Sequence, residues 1–366
     1  MYSTTAMHIP VRRAAHSRIR EVDWNNPELG TYNADHMLVS DYSEGRWFGP
    51  EIMPFGPFSL LPTTLAFHYG QTIFEGMKAF RTEDGRVQIF RPEKHYERMV
   101  RSAERLCMPV VSPEVFIEGM RQLVRLDQEW VPGTIGSALY IRPFQIATDF
   151  RLKLKIAESY RFAIVCSPAG NYFSRPVRVK VEREFARSVR GGTGYAKCGG
   201  NYGGSLYPTQ QAKEEGYDQV LWTDGVSHQY IEESGMMNVF FVIDGVLVTP
   251  PLNDTVLDGV TRDSLLVLAR AAGIPVEERD VSVDELRGGL ERGGVQEAFG
   301  AGTAAVVSPI WQIGIDGRDY TIPVSRDGSR GSGGIGGGSI GQELKEMLDA
   351  IRYGQVDDPY GWNLYV

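Results

Sequence analysis

Lys197 lies in a stretch with glycine on both sides, a setting that few lysines have. Gly192 and Gly194 precede it, and Gly199 and Gly200 follow it. Glycine lets backbone pass close to a bulky planar group and permits positive φ angles. A lysine held in such a cleft loses hydration, which favours a neutral, nucleophilic amine. The stretch indicates a Schiff-base lysine for a carbonyl cofactor such as pyridoxal phosphate; the alternative is a surface lysine in a flexible loop.

Two adjacent carboxylates, Glu232 and Glu233, end a predicted strand just before Gly235. A carboxylate facing the pyridine nitrogen of pyridoxal phosphate keeps that nitrogen protonated, so the ring withdraws electrons from the substrate Cα. The segment 67–80 (FHYGQTIFEGMKAF) mixes aromatic, glycine and polar residues, which a pure core segment does not do. The alternatives are a solvated acidic loop for the first segment and a strand-to-helix corner for the second.

Two segments are candidates for binding phosphate. Residues 257–262 (LDGVTR) lead into a predicted helix, where backbone N–H groups and the helix dipole favour an anion. Residues 300–305 (GAGTAA) form a small-residue turn that can approach a ligand closely. Each of them alone is more often a simple turn.

The composition limits the class of protein. The chain has 366 residues, 42% of them hydrophobic and 23% charged, which suggests two globular domains. A net charge of -8 argues against nucleic acid as the partner, and no apolar run approaches the roughly 20 residues that span a membrane. Cys107, Cys166 and Cys198 form no paired framework, so we expect a reducing, cytoplasmic location. Residues 1–20 hold four arginines and no acid, which faintly resembles a mitochondrial presequence, although a solvated arm is favoured.

Hydrophobic periodicity and turn signals predict the main elements of secondary structure. Helices are predicted from 91, at 113–130 and 262–272, and from 339 or 340 to 352. A linker is predicted at 167–176, and a Gly- and Ser-rich loop is predicted at 325–341. Strands are predicted at 86–90, 138–144, 160–166, 177–181, 219–223, 239–243, 246–249, 295–299 and 304–310.

Seven motifs, taken together, resemble the class IV (fold-type IV) pyridoxal-phosphate aminotransferases, and most closely the branched-chain amino acid aminotransferases. They span nearly the whole chain in the family's order. They are HYGQTIFEGMKAF at 68–80, IFRPEKHYERM at 89–99, YIRPF at 140–144, GTGYAKCGGNY at 192–202, YIEESGMMNVFF at 230–241, VLDGVTRDSLL at 256–266 and AFGAGTAAVVSPI at 298–310.

The resemblance implies which residues bind the cofactor. Lys197 resembles the Schiff-base lysine, Tyr202 the tyrosine that bonds the cofactor O3′, and Glu233, rather than Glu232, the partner of the pyridine nitrogen. Arg98 resembles the phosphate-binding arginine, although the pattern alone also allows Arg91 or Arg101. The rest of the implied phosphate site consists of Gly259, Val260, Thr261 and Thr303.

The resemblance also implies a substrate pocket that accepts leucine, isoleucine and valine as well as glutamate or 2-oxoglutarate. Ala304 and Ala305 would bind the α-carboxylate through their N–H groups, together with Tyr140. Arg142 and Tyr69 would bind the distal carboxylate. An apolar cage would be lined by Tyr69, Phe74, Tyr140, Tyr172 and Tyr202.

The implied fold is α+β or α/β with two domains. They are a smaller N-terminal α/β domain at 1–170 and a larger cofactor-binding domain at 181–366 with a β-barrel-like sheet core, joined by a linker at 171–180. The implied activity is reversible, ping-pong transfer of the amino group between L-leucine, L-isoleucine or L-valine and 2-oxoglutarate. The family is built as a homodimer. Ala305 and Ser308 stand where some relatives carry a redox CxxC pair, so thiol regulation of that kind is not expected.

Other functions are weaker alternatives. A D-amino acid aminotransferase or an aminodeoxychorismate lyase has the same fold, but YIRPF with Arg142 favours the branched-chain activity. A GxGxxG pattern at 331–336 follows no predicted strand and does not support a nucleotide-binding oxidoreductase. No HExxH motif occurs, so no metal site is expected. A non-catalytic interaction protein would require Lys197, Tyr202, Glu233 and Arg98 to coincide by chance.

Overall fold

A computed structural model describes residues 7–25, 27–170, 175–322 and 339–366. The described chain forms two compact units. The first unit holds the residues up to 170 together with Ala196–Gly200 and Ala350–Val366, and the second holds 175–195 and the described part of Asn201–Asp349. The units are thus interleaved along the sequence, whereas the predicted boundaries at 1–170, 171–180 and 181–366 are continuous. As a division into folding domains, those boundaries stay a proposal.

Strands and helices alternate irregularly along the chain. The strands are β1 His36–Ser43, β2 Arg46–Pro54, β3 Thr72–Phe74, β4 Met77–Arg81, β5 Val87–Phe90, β6 Ala138–Ala147, β7 Tyr160–Ala169, β8 Val177–Val181, β9 Gln219–Thr223, β10 Ile231–Ser234, β11 Met237–Ile243, β12 Val246–Thr249, β13 Val276–Glu278, β14 Val295–Gly302, β15 Val306–Ile315, β16 Arg318–Thr321 and β17 Asn363–Tyr365. The α-helices are α1 Leu65–Tyr69, α2 Pro92–Arg105, α3 Gly119–Leu126, α4 Gly200–Gly203, α5 Leu206–Glu214, α6 Val260–Ala271, α7 Val283–Arg292 and α8 Ile340–Arg352. None of the described helices is long and apolar enough to cross a membrane.

The first unit is built on one sheet in the order β17-β5-β4-β6-β7-β1-β2, with β3 also paired to β6. Helix α2 begins with Pro92 in its first turn, where the missing N–H costs nothing. Its apolar side chains Tyr96, Met99 and Ala103 recur at helical spacing and enter the core cluster that also contains Leu38 and Ile141. The burial of this stripe positions the remaining faces of α2, including the face that carries Arg98.

The second unit contains a closed ring of strands. Its sheet has the order β10-β9-β8-β15-β14-β11-β12-β13, with β16 on β15, and an additional pairing of β10 with β11 closes the ring β8, β9, β10, β11, β14 and β15. Its core cluster includes Val179, Val239, Phe241 and Ile313. Because closure leaves these six strands paired on both sides, the ring forms the barrel-like core that the sequence predicted.

Most predicted elements are confirmed, with differences at three places. The predicted helix at 113–130 is interrupted: a π-helical turn at Glu114–Glu118 precedes α3, and a 3-10 turn follows at Gln128–Trp130. The predicted turn at 300–305 is shorter, because β14 continues to Gly302. Strand β7 extends to Ala169 and so occupies the start of the predicted linker. Residues 171–174 and most of the Gly-rich loop lie outside the described residues.

Candidate active site

Lys197 is anchored in the first unit through its backbone on both sides. Its N–H donates to Ser102 Oγ (2.9 Å), and its carbonyl accepts a hydrogen bond from the Phe74 N–H (3.0 Å). Its Nζ lies 4.9 Å from the centroid of the Phe74 ring. A Cβ at Gly199 would lie 2.8 Å from Thr72 Cγ2. The glycine that follows the lysine segment is therefore required by a close approach of the backbone.

Phe74 also connects the lysine to Arg142 and Tyr140. The guanidinium carbon of Arg142 lies 4.7 Å from the Phe74 ring centroid and 5.2 Å from that of Tyr140. Its Nη2 donates to the Tyr140 hydroxyl (2.9 Å). A Cβ at Gly76 would overlap that hydroxyl, so glycine is needed beneath the tyrosine. The structure thus brings together four predicted residues: Lys197, Phe74, Tyr140 and Arg142.

Two predicted substrate residues have different outcomes. Tyr69 lies at the end of α1, and its hydroxyl donates to the Leu152 carbonyl. This partner differs from the substrate carboxylate that the sequence predicted for it. Tyr172 lies outside the described residues.

Arg98, the predicted phosphate arginine, is buried in an ionic cluster of the first unit. Its Nε lies 2.7 Å from Glu75 Oε1, and its Nη2 donates to Glu75 Oε2 (2.8 Å). The ring nitrogen Nδ1 of His95 lies 2.7 Å from the same Oε2. The competing Arg91 lies at the start of α2 and places its guanidinium carbon 4.8 Å from the Trp362 ring centroid. The geometry therefore favours Arg98 as the arginine held close to the lysine segment.

The cluster has a defined charge state. Burial raises the pKa of the Glu75 carboxyl, but the charge and hydrogen bonds of Arg98 and those of His95 outweigh it, and the pKa lies below its ordinary value. Burial lowers the pKa of His95 to about 4, against the raising effect of Glu75 and with the positive charges of Arg98 and Lys197. At neutral pH the cluster thus contains a carboxylate, a guanidinium and an uncharged imidazole.

In the second unit, Glu233 and Glu232 have different surroundings because successive side chains of a strand face opposite sides. Glu233 Oε1 accepts the Leu257 N–H (2.8 Å), and its Oε2 lies 3.0 Å from Arg187 Nε in a buried ion pair. Glu232 Oε1 accepts the Thr255 hydroxyl (2.5 Å). Burial raises the pKa of the Glu232 carboxyl, and that hydrogen bond only partly offsets the rise. Glu233 is therefore the carboxylate that is fixed next to a positive charge.

Arg187 is a site residue that sequence reasoning missed. Besides the ion pair with Glu233, its Nη2 donates to the carbonyls of Thr255 and Gly194 (3.3 Å for Gly194). It thereby connects the carboxylate to the glycine-rich stretch that leads to Lys197. A sequence signal was present, since two consecutive acids in a buried strand need a cation, but nothing in the sequence said which arginine supplies it.

The start of α6 provides a donor set that fits a phosphate. Gly259 occupies the N-cap position in an extended conformation, and no side chain of this residue caps the first turn. Val260 and Thr261 follow, both buried, so their N–H groups belong to a helix N-terminus, where an anion is favoured. A Cβ at Gly259 would overlap Asn238 Oδ1, and only glycine fits there. The second unit therefore offers both a phosphate site and, at Glu233, a partner for a pyridine nitrogen.

The remaining predicted residues lie on two turns of the second unit. Tyr202 is half-buried in the short helix α4, and its carbonyl accepts hydrogen bonds from the Ser205 N–H (3.2 Å) and hydroxyl (2.7 Å). Thr303, Ala304 and Ala305 form the half-buried turn between β14 and β15. Among the described residues there is no cluster of His, Cys, Asp and Glu suited to a metal ion. The GxGxxG pattern at 331–336 lies outside those residues.

Similarity to known proteins agrees with this chemistry. The chain is 46% identical over 343 residues to the branched-chain-amino-acid transaminase 1 of Bacillus subtilis (strain 168), covering 92% of this chain and 94% of that protein. Its fold resembles the crystal structure of a branched-chain aminotransferase from Thermoproteus uzoniensis with norvaline, with a TM-score of 0.72, 26% identity and 90% and 99% of the two chains covered.

A second solved structure bears on the cofactor. The branched-chain amino acid aminotransferase of T.th., solved with pyridoxamine 5'-phosphate, has a TM-score of 0.68, 26% identity and coverage of 89% of this chain and 98% of that chain. The expected fold-type IV architecture and dependence on pyridoxal phosphate are thereby confirmed. The model of the family described as amino-transferase class IV matches residues 72–313. With the lysine, the buried carboxylate and the phosphate donors in place, the chain belongs to the class IV aminotransferases.

Proposed function

We propose that this chain is a pyridoxal-phosphate-dependent branched-chain aminotransferase that transfers the amino group reversibly between L-leucine, L-isoleucine or L-valine and a 2-oxo acid. The observation that carries the assignment is the cluster around Phe74, which contacts the Lys197 amine and the Arg142 guanidinium with one ring. An amine nucleophile, an apolar wall and a cation then serve one substrate site. The 46% identity to a named branched-chain transaminase supports the same substrate class.

The proposed roles in chemistry follow from the donors and acceptors of each residue. Pyridoxal phosphate, when bound, supplies an electron sink for the pair left at Cα when the proton leaves. Lys197 attaches the cofactor and, once its amine is free, takes the Cα proton and returns it to the cofactor C4′. Glu233 holds the proton on the pyridine nitrogen, and Tyr202 bonds O3′. The phosphate is held by Arg98, by the α6 N-terminus with Gly259, Val260 and Thr261, and by Thr303.

The proposed substrate pocket accepts two kinds of side chain. Phe74 and Tyr140 supply an apolar surface, to which Tyr69 and Tyr172 are proposed to contribute. Arg142, stacked between the first two rings, binds the distal carboxylate of glutamate or 2-oxoglutarate. The N–H groups of Ala304 and Ala305 bind the α-carboxylate. Because one pocket takes both substrates in turn, the kinetics are ping-pong.

The absorbance spectrum with pyridoxal phosphate tests this function. We expect a visible band from the cofactor attached to Lys197, loss of the band on adding L-leucine, and its recovery on adding 2-oxoglutarate. Lys197→Ala should abolish the band and multiple turnover. A band that ignores L-leucine but responds to a D-amino acid would assign the chain to a D-amino acid aminotransferase, and a band that responds to aminodeoxychorismate would indicate a lyase. Normal turnover by Lys197→Ala would remove the lysine from the mechanism.

A homodimer and a cytoplasmic location complete the proposal. In the loop between β6 and β7, Phe150, Leu152, Leu154 and Ile156 are each more than half exposed, and apolar patches of this kind mark protein interfaces. We expect light scattering coupled to gel filtration to give twice the chain mass of 40.8 kDa; the monomer mass would contradict the dimer. Cys107, Cys166 and Cys198 are free thiols, in keeping with a reducing compartment.

A further inference from the structure

Glu75 is a fully buried carboxylate with donors on both oxygens. Arg98 contacts Oε1 through Nε (2.7 Å) and Oε2 through Nη2 (2.8 Å), while His95 Nδ1 and the Gly76 N–H approach Oε2 at 2.7 and 3.3 Å. The side chains of Glu75, His95 and Arg98 are 0%, 2% and 4% exposed. Since a carboxylate only accepts hydrogen bonds, His95 carries its proton on Nδ1 and donates it to Glu75. Two edges of the Arg98 guanidinium are thus fixed by a single rigid acceptor.

The same helix face also holds the backbone of Lys197. His95, Arg98 and Ser102 lie at positions i, i+3 and i+7 of α2 and therefore share one face. The Ser102 hydroxyl donates to the Arg98 carbonyl (2.9 Å) and accepts the Lys197 N–H (2.9 Å). Glu75 in turn follows Phe74, whose N–H binds the Lys197 carbonyl. One side of α2 thus carries the lysine segment and the arginine at a constant spacing.

We propose that Glu75 and uncharged His95 are positioning residues that hold the Arg98 guanidinium in one orientation to receive the phosphate of the cofactor. This proposal rests on the proposed function of the chain, in which Arg98 binds that phosphate. An arginine side chain has many rotamers, and ordering it on binding costs affinity. The carboxylate removes that cost before the cofactor arrives, and the imidazole fixes the carboxylate.

Charge and position predict opposite signs for the loss of Glu75. Glu75 is an anion beside a cation that is to bind an anion, so its charge by itself opposes phosphate binding. If charge decided the outcome, Glu75→Gln would bind pyridoxal phosphate more tightly. If position decides it, the same variant binds more weakly, because the Gln amide presents donors to Arg98 and His95, which are donors themselves.

The test compares two ligands on the full-length protein freed of cofactor. The dissociation constants of pyridoxal phosphate and of pyridoxal, which lacks the phosphate, are measured for the wild type, Glu75→Gln and His95→Asn by equilibrium dialysis. Their ratio gives the contribution of the phosphate to affinity. Asp127→Asn is the matched control, because Asp127 forms another buried pair with a histidine, His36, at 2.6 Å in the same unit. Urea unfolding of each variant reports its stability separately.

We expect Glu75→Gln to lower the ratio by about tenfold or more and His95→Asn to lower it by a few fold, with pyridoxal affinity nearly unchanged. Asp127→Asn should lose stability and keep the ratio. A ratio that is unchanged or increased in Glu75→Gln overturns the proposal, and so does an equal loss for both ligands. If Glu75→Gln does not fold, the ratio for His95→Asn decides in the same way. If the wild type binds no pyridoxal phosphate, the proposed function itself fails, which is a different result.

Discussion

At the scale of single residues, the choice between Glu232 and Glu233 shows how environment assigns a role. The two carboxylates are one residue apart in β10 and face opposite sides of the strand. Glu233 contacts Arg187 Nε and a backbone N–H, whereas Glu232 contacts the neutral hydroxyl of Thr255. A protonated pyridine nitrogen needs an anionic partner, and the cation next to Glu233 keeps the anion in place. The role therefore belongs to Glu233.

This difference predicts the outcome of two matched substitutions. Glu233→Gln should lower kcat for L-leucine by roughly a hundredfold, because a neutral amide no longer stabilises a protonated pyridine nitrogen. Pyridoxal phosphate should still bind, since the phosphate contacts lie elsewhere. Glu232→Gln is the control and should leave kcat within a few fold. Steady-state kinetics of both variants decide the matter, and equal losses in the two would mean that the pair acts only through the strand.

At the scale of elements, α7 shows a local signal that specifies a helix from both ends. Ser282 accepts the Glu285 N–H (3.0 Å) at the N-terminus, the arrangement of a capping box. Gly293 ends the helix in the left-handed conformation at φ 75°. Val283 and Leu286 enter the core of the second unit between these two signals. The helix was not among the predicted elements, although its caps are visible in the sequence.

The cap carries a prediction about stability. Ser282→Ala should lower the free energy of unfolding by about 1 kcal/mol, since one N–H of the first turn loses its acceptor. Ser282→Thr keeps a hydroxyl at the same place and should retain most of that free energy. Urea unfolding of the cofactor-free protein measures both. No difference between the alanine and threonine variants would show that the cap does not contribute.

Local patterns predicted strands well and long-range partners not at all. The alternation of apolar residues and the Asp244-Gly245 turn predicted β12 with its observed bounds and β11 to within two residues. Within 113–130, however, helical periodicity did not reveal the interruption before Gly119. The pairing of β10 with β11, which closes the ring, depends on the register of Glu233 with Asn238. Such contacts are set by tertiary packing, for which one sequence holds no local signal.

The site divides in the same way. Lys197, Glu233 and Arg98 were identified by resemblance, and the structure adds what surrounds them. Arg187 and Glu75 escaped notice because each acts through contacts with residues 46 and 23 positions away, respectively. No spacing rule joins an isolated arginine in a loop to a strand carboxylate. Buried charges without an obvious partner are the part of the sequence to examine for such residues.

At the scale of the whole molecule, the first unit depends on distant stretches of the chain. The C-terminal strand β17 pairs with β5, and Gln88 Nε2 donates to the carbonyls of Ile351 and Arg352 at 3.2 and 2.7 Å. Lys197 reaches the same unit from the middle of the chain. Loss of stability in this unit is therefore expected to affect the lysine segment as well, and its buried charges make that stability depend on pH.

His95 predicts a specific fall in stability on acidification. Its pKa is lowered to about 4 in the folded protein from 6.5, so the unfolded chain takes up a proton in this range that the folded chain does not. Stability is then lost as pH falls from about 6.5 to 4, by up to about 3 kcal/mol for this group. The lowered pKa of Glu75 acts in the same direction, but only below its ordinary value of 4.5. Urea unfolding at a series of pH values between 7 and 4.5 should show a shallower dependence in His95→Asn than in the wild type. Identical slopes would mean that His95 is not held neutral by the fold.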